Sequence, residues 1–275
     1  MKKFFLSVII LFSVIVSFAN PSMEGAISGV FSVSVDKKVY FSQGNLQYQA
    51  STNTWRFAEY QWDVIGEANE NISSTYSGWI DLFGWGTSGF DGKSPYMTSS
   101  NGDNYGNAYY DIAGTNYDWG VYNAISNGGN KANTWRTLTK VEWMYVFDIR
   151  TTTSGIRYAK SCVNNVNGVI LLPDDWNTNT YSLNYTNSAG ADFTSNTITS
   201  TQWTTLEEAG AVFLPAAGNR DGTSVNGVGS NGSYWSASHY YSRYVYSVYF
   251  SDMFLHPFGD YSRRGVSVRL VRSAQ

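Results

Sequence analysis

Apolar and polar residues alternate over short runs along most of this chain, the pattern of half-buried strands. In ISGVFSVSVDKKVYFSQGNLQYQ, the β-formers Val30, Ser32, Val35, Val39 and Phe41 flank a tight turn at Asp36-Lys37-Lys38, and Gly44-Asn45 marks the next bend. Asn53 and Thr54 turn the chain into another aromatic strand, and Tyr60 to Ala68 suits a short helix or a strand. Asp81-Leu82-Phe83-Gly84-Trp85-Gly86 reads as a compact loop whose tryptophan plugs the core while glycine lets the backbone pass close. The closing GVSVRLVR sets Val266, Val268 and Leu270 against Ser267, Arg269 and Val271, which predicts a half-buried terminal strand.

Helical periodicity is confined to two places. Thr139 and Glu142 form a T-x-x-E capping box, followed by the i,i+4 pairs Trp143/Phe147 and Val141/Tyr145, so a helix is predicted at about 140–149. Thr205 and Glu208 suggest a second box, on a helix cut short by Gly210. Two apolar runs end at Pro173 and Pro215, where proline suits the exit of a strand. Residues Asp91 to Asn116 are polar and read as surface loop. The chain is therefore α+β: short strands, two short helices and long loops.

The first residues change the picture of location. Lys2 and Lys3 precede the apolar run Phe4 to Val16, and Ser17-Phe18-Ala19 fits a small-x-small cleavage site. Residues 1–19 are read as a secretory signal peptide, because the run is short for a membrane span. Residues 20–275 are read as a single domain with an elaborated N-terminal part. The expected location is exported: periplasmic, cell-surface or secreted, with no membrane span after cleavage.

Charged residues make up 14% of the chain, against about a quarter in ordinary domains, and the net charge is −3. That leaves no electrostatic footprint for nucleic acid. The single cysteine, Cys162, rules out an internal disulfide and a Cys₂ or Cys₄ metal site, and is read as a buried inert thiol on a strand entering a turn. No H-E-x-x-H, G-x-S-x-G or P-loop occurs. Asp174 and Asp175 are read as turn residues. Asn219-Arg220-Asp221-Gly222 offers oxygen ligands beside a glycine, so calcium is possible, but a turn explains the residues better and no cofactor is expected.

One stretch stands apart. SYWSASHYYSRYVYSVYFSDMFLHPFGDYSRR, Ser233–Arg264, holds both histidines and seven of the 21 tyrosines. Alternation predicts that Val248, Phe250 and Tyr246 pack inward while Tyr244 and Tyr249 belong to other faces, and Pro257-Phe258-Gly259-Asp260 has turn chemistry. Tyrosine gives large amphipathic contact area at low entropy cost, serine gives adaptable hydrogen bonds, and arginine gives planar multidentate donors. A hairpin whose polar residues merely face water would share this composition.

Three motifs carry a resemblance. NTWRTLTKVEWMYVF resembles the W-R-x-x-T-x-x-E-W element of the Fibrobacter succinogenes major paralogous domain. FLPAAGNRDGTSVNGVGSNGSYWSAS and GVSVRLVR are similar to that family's closing motif, and KKVYFSQGNLQYQASTNTWRFAEYQWDVIG resembles the front of exported proteins of Bacteroides-like bacteria. Together they run from about Lys37 to Arg272. The resemblance implies a C-type-lectin-like or formylglycine-generating-enzyme-like α+β fold with small antiparallel sheets. The enzyme branch uses paired cysteines, which this chain lacks, and the Glu-Pro-Asn or Gln-Pro-Asp signatures of calcium-dependent sugar binding are also missing.

The segment Ser238–Arg263 also resembles the variable segment of proteins diversified by retroelements, which lies between fixed fold elements near the C-terminus. The fixed frame here would include Trp235 and Val268 as core. On that resemblance the ligand-contacting residues are Ser238, His239, Tyr240, Tyr241, Arg243, Tyr244, Tyr246, Tyr249, Ser251, Asp252, Phe254, His256, Phe258, Asp260, Tyr261 and Arg263. The expected function is non-catalytic binding of a protein or carbohydrate ligand. The alternatives are a structural or adhesin-like surface component, and a hydrolase pairing Glu207 with Asp252 or Asp260, which needs two carboxylates about 5–9 Å apart.

Overall fold

The computed structural model describes residues 24–71, 73–97 and 110–274, with Phe258 described in its backbone only. Residues 1–19, read as a signal peptide, lie outside the described residues, as does part of the polar stretch 91–116. The chain first runs through β1 (Phe31–Ser32), β2 (Lys38–Phe41), β3 (Leu46–Gln49) and β4 (Thr54–Phe57). Val35 belongs to neither strand: it lies in the turn that joins β1 to β2 and is 93% exposed. That turn spans 33–37, closed by Val33 N–H donating to the Lys37 carbonyl at 2.9 Å, so Lys38 opens β2 instead of completing the turn. The stretch from Tyr60 forms turns and then a 3₁₀ segment at Gly66–Glu70.

Among the described residues three α-helices follow, one more than the sequence suggested. The extra one is the single turn α1 (Trp119–Tyr122), which buries Trp119. Next come β5 (Arg136–Thr137) and α2 (Lys140–Met144). The Thr139–Glu142 box caps α2 as predicted, and a π turn at Tyr145–Ile149 extends it to the expected end. Trp143 and Phe147 stack with centroids 6.0 Å apart. Beyond lie β6 (Tyr158–Val163), β7 (Val166–Leu171), β8 (Thr197–Ile198) and α3 (Ser200–Glu208). Asn164 and Asn165, with φ of 47° and 64°, make the two-residue hairpin turn after β6.

The second capping box is placed differently from the sequence reading. Thr199, not Thr205, caps α3, with Gln202 as its reciprocal partner. Thr205 and Glu208 lie in the last two turns of that helix, where T-x-x-E has no free N–H groups to cap. Gly210, at φ 89°, ends the helix as expected: its N–H donates to the Glu207 carbonyl, and Ala211 N–H reaches back to Leu206.

The remaining strands are β9 (Val212–Pro215), β10 (Asn219–Asp221), β11 (Ser224–Asn226), β12 (Asn231–Tyr241), β13 (Tyr244–Ser251), β14 (Leu255–Tyr261) and β15 (Leu270–Ser273). They form two four-stranded sheets, β1-β2-β15-β5 and β8-β6-β7-β9, one three-stranded sheet, β12-β13-β14, and the hairpins β3-β4 and β10-β11. Among the described strands every pairing is antiparallel except β6 with β8. The result is a mixed α+β architecture of short helices, small sheets and long loops. Pro257-Phe258-Gly259-Asp260 is strand, not turn: β14 is the outer strand of its sheet, where a missing N–H costs no ladder bond, and the turn falls instead between Ser251 and Phe254.

The core forms three apolar clusters, and eight tryptophans are buried in them. Trp85 plugs the second, as the loop reading predicts. Its run, Gly84-Trp85-Gly86-Thr87-Ser88-Gly89, happens to match G-x-G-x-x-G, but it leads to a 3₁₀ turn at Phe90–Gly92 and lacks the strand–turn–helix context of dinucleotide binding. The terminal stretch is buried on both faces, not one. Ser267, Arg269 and Val271 are as inaccessible as Val266, Val268 and Leu270, because strands and loops pack on either side.

Candidate functional site

The Tyr-rich segment is strung between two locked ends. Trp85 Nε1 donates to the Ser236 carbonyl at 2.8 Å, and Trp235 Nε1 donates back to the Phe83 carbonyl at 2.7 Å. Phe83 and Val266 exchange both backbone hydrogen bonds at 3.0 Å. The aromatic-glycine loop is thus woven between the entry to the segment and its exit. Trp235 and Val268 are fully buried, as the sequence reading expects.

Between these ends the chain runs up β12, turns at Ser242-Arg243, and returns along β13 and β14. Ser242 takes φ 53° in that tight turn. Side chains alternate across the sheet, so the even positions of β13 share a face with Pro257, Gly259 and Tyr261 of β14. Two register shifts in β12, after Trp235 and after His239, bring Tyr240 and Tyr241 to the same end.

There the tyrosines meet α2. Lys140 Nζ stands 4.3 Å from the centroid of the Tyr246 ring, and Tyr240 packs on Tyr246 at 4.7 Å. A groove of about 610 Å³ opens at this place. Tyr240, Tyr241, Tyr244 and Tyr246 line it together with His256, and Lys140, Met144, Pro257 and Gly259 complete it. A Cβ on Gly259 would come to 3.0 Å from the Tyr240 ring, so the glycine leaves room for that ring against the strand. Tyr240 and Tyr241 are 56% and 72% exposed, and both expose an aromatic body to solvent at the rim.

The other segment residues are dispersed. Ser238 Oγ accepts from Lys140 N–H, which fixes the start of α2 over the sheet. The His239 ring donates to the Ser242 carbonyl, and its backbone N–H donates to Asp111. Arg243 is exposed in the turn. Tyr244 and Tyr261 share a 2.6 Å hydroxyl hydrogen bond, and that bond raises the Tyr244 hydroxyl above its ordinary value. Arg263 lies 4.8 Å over the Tyr261 ring and 3.8 Å from Asp221.

Tyr249 and Asp260 point to the opposite face, where they line a smaller cavity of about 150 Å³ with Ser233. Burial raises the Asp260 carboxyl, although Arg264 binds it at 2.9 Å. Ser251, Asp252 and Phe254 sit at the far turn, and Asp252 lines a third cavity with Asp192. The segment therefore presents its residues on two faces and one end, because the pleat forces neighbours apart. Phe258, named with them, has no described side chain. Lys140 and Met144 escaped the sequence reading. Their only signal is that they lie one turn apart on the capped helix, which says nothing about what faces them.

The chemistry weighed in the sequence also finds its places. Asp174 accepts from Ser32 N–H and Oγ and from Arg150 Nη1 at 3.1 Å, so this turn residue also ties β1 to the end of the α2 segment; Asp175 is exposed. Glu207 accepts from Gln61 Nε2 at 2.8 Å. Asp252, Asp260 and Glu207 thus have separate surroundings. Asn219–Asp221 forms a hairpin strand, and the Arg220 guanidinium donates to the carbonyls of Leu82 and Met97. Among the described residues no group of three or more His, Cys, Asp or Glu is placed to hold a metal ion. Cys162 is half-buried, not fully buried, and burial raises its thiol. Among the described residues no helix is long and apolar enough to cross a membrane.

Comparison with known proteins adds one similarity. Residues 185–271, which include the whole Tyr-rich segment and its second anchor, are similar to a family described as Domain of unknown function (DUF8237). No curated protein and no solved structure matches the chain.

Proposed function

We propose that the protein is exported and recognises a protein or glycan ligand, without catalysis, through the tyrosine groove between β12-β13-β14 and α2. The observation that carries this reading is the groove itself: about 610 Å³, walled by four tyrosines of one segment and open to solvent. Aromatic walls with a few polar groups are the usual make-up of a recognition site, and the locked ends keep its ordering cost low. The finer fold reading, a C-type-lectin-like domain of the Fibrobacter succinogenes major paralogous type, belongs to the same proposal. Its support is the motif resemblance together with the mixed α+β architecture.

The retroelement-diversified origin of Ser238–Arg263 rests on composition and on the rigid frame around it. A nearby reverse transcriptase gene with an imperfect copy of the segment's DNA is the expected genomic finding, and its absence counts against that origin. Binding itself is tested on glycan and protein arrays with wild type and the Tyr240→Ala/Tyr241→Ala variant. A ligand captured by wild type and lost by the variant is expected. No ligand, or no loss, counts against the groove.

A second reading, an adhesin-like surface component, is favoured by a different feature. Met253 and Phe254 are 67% and 59% exposed at the far turn, where they offer an apolar assembly contact. An assembly lost in Phe254→Ser but kept in Tyr240→Ala/Tyr241→Ala would support it.

A further inference from the structure

A second groove lies away from the Tyr-rich segment, and its lining has a different chemistry. It measures about 620 Å³ and is lined by Tyr60 and Trp62 on one stretch of chain, and by Asn164 and hydroxyl residues of α3. The two aromatic rings are parallel to within 4°, with centroids 5.1 Å apart. Tyr60 is half exposed, so this stack is not core. No charged side chain lines the groove.

The platform is held rigid from beneath. Gln61, between the two aromatics, is 1% exposed. Its Nε2 donates to Glu207 Oε1 and to the Ala211 carbonyl, and its Oε1 accepts from Phe213 N–H and from Arg269. Trp62 packs against the third core cluster. Asp63 accepts the Tyr60 N–H at 2.9 Å, which fixes the backbone on the outer side. Glu207 lies on α3, so one residue ties the aromatic pair to the helix that supplies the hydroxyls. Ser200, Thr201 and Thr205 are exposed there.

We infer that this groove binds a neutral carbohydrate. A pyranose ring has an apolar face of C–H groups and a rim of hydroxyls. An exposed, fixed aromatic stack suits the face, because aromatic rings offer flat apolar area with an electron-rich surface. The neighbouring Ser and Thr hydroxyls and the Asn164 amide both donate and accept, as sugar hydroxyls require. The absence of charge in the lining disfavours anionic ligands, and the volume admits one or two sugar rings. The fixed platform lowers the ordering cost of binding. This site is independent of the tyrosine groove and stands or falls without it.

Affinity gel electrophoresis with soluble xyloglucan, galactomannan, mixed-linkage glucan and the acidic control polygalacturonate tests the inference. Wild type is expected to be retarded by at least one neutral polysaccharide and not by polygalacturonate. Tyr60→Ala and, separately, Thr201→Arg are expected to weaken that retardation at least tenfold, with far-UV circular dichroism and a thermal midpoint like wild type. The second variant blocks the groove from the helix side, so it keeps the test valid if the first disturbs the stack. Retention in both variants overturns the inference. So does retardation by none of the neutral polymers, or by polygalacturonate alone. Loss in Tyr240→Ala/Tyr241→Ala with retention in Tyr60→Ala also overturns it, and moves the sugar site to the tyrosine groove.

Discussion

Lys140 and Tyr246 are far apart in sequence, yet the Lys140 ammonium sits 4.3 Å from the Tyr246 ring centroid and joins helix α2 to the tyrosine sheet. The contact turns the flat face of a three-stranded sheet into a groove with a second wall. A cation over a tyrosine ring contributes about 0.5–1 kcal/mol at exposed sites. Lys140→Ala is therefore expected to lower stability by about 1 kcal/mol or less, read from urea denaturation. Tyr241→Ala should change stability even less, because its ring is 72% exposed. A large loss for Tyr241→Ala would mean that the rim tyrosine is structural.

Asp174 and Asp175 are adjacent carboxylates with opposite expectations. Arg150 has a side chain that is 0% exposed and is bound by Asp174, while Asp175 faces solvent. Burial already lowers the Arg150 guanidinium to about 10. Asp174→Ala strands that cation and leaves Ser32 without its acceptor, at a cost of about 3–5 kcal/mol. Asp175→Ala should cost under about 0.5 kcal/mol. Equal effects in chemical denaturation would contradict the assignment of Asp174 as the tie.

Stability should fall as pH rises from 5 to 7. Burial pushes the carboxyls of Asp81 and Asp118 up to about 6, against the pull of hydrogen bonds from Asn69 and Thr137. A carboxyl whose pKa is higher in the folded than in the unfolded state contributes stability that is complete below the unfolded value, about 3.9. That contribution is lost as pH rises through the folded value. Each group contributes about 3 kcal/mol over the whole window and about 1 kcal/mol between pH 5 and pH 7. Urea midpoints at the two pH values measure it, and Asp81→Asn should flatten the slope. A midpoint that rises from pH 5 to pH 7 would show that the hydrogen bonds outweigh burial.

Helix α3 gives a test of local reading. Thr199→Ala removes the hydroxyl that accepts from Gln202 N–H and should cost about 1 kcal/mol. Thr205→Ala removes no cap and should be nearly neutral, since alanine is the better helix former. Thermal denaturation separates the two, and a larger loss at Thr205 would restore the box that the sequence alone suggests.

Much of the local structure was legible along the chain. The Thr139 cap, the hairpin after Cys162 and the glycine stop at Gly210 each depend on residues within a few positions of one another. Such short-range chemistry is written in the order of residues. The start of α3 was not: Thr199-x-x-Gln202 and Thr205-x-x-Glu208 have similar local patterns six residues apart, and the helix that buries Trp203 and Leu206 begins at the first of them.

The order of residues sufficed to read the chain as α+β, Trp235 and Val268 as core, and Ser238–Arg263 as rich in tyrosine, serine and arginine. Which of those residues share a face is set by strand pairing across the folded sheet. Alternation assigns neighbours to opposite sides, but the two register shifts in β12 fix the phase, and the first of them falls where the Trp143 and Trp85 indoles bind the carbonyls of Trp235 and Ser236. Tertiary structure also placed Arg269 in the interior, where strands on both sides remove the solvent that a terminal half-buried strand would have kept, and it set Lys140 over Tyr246, a contact that no local pattern encodes.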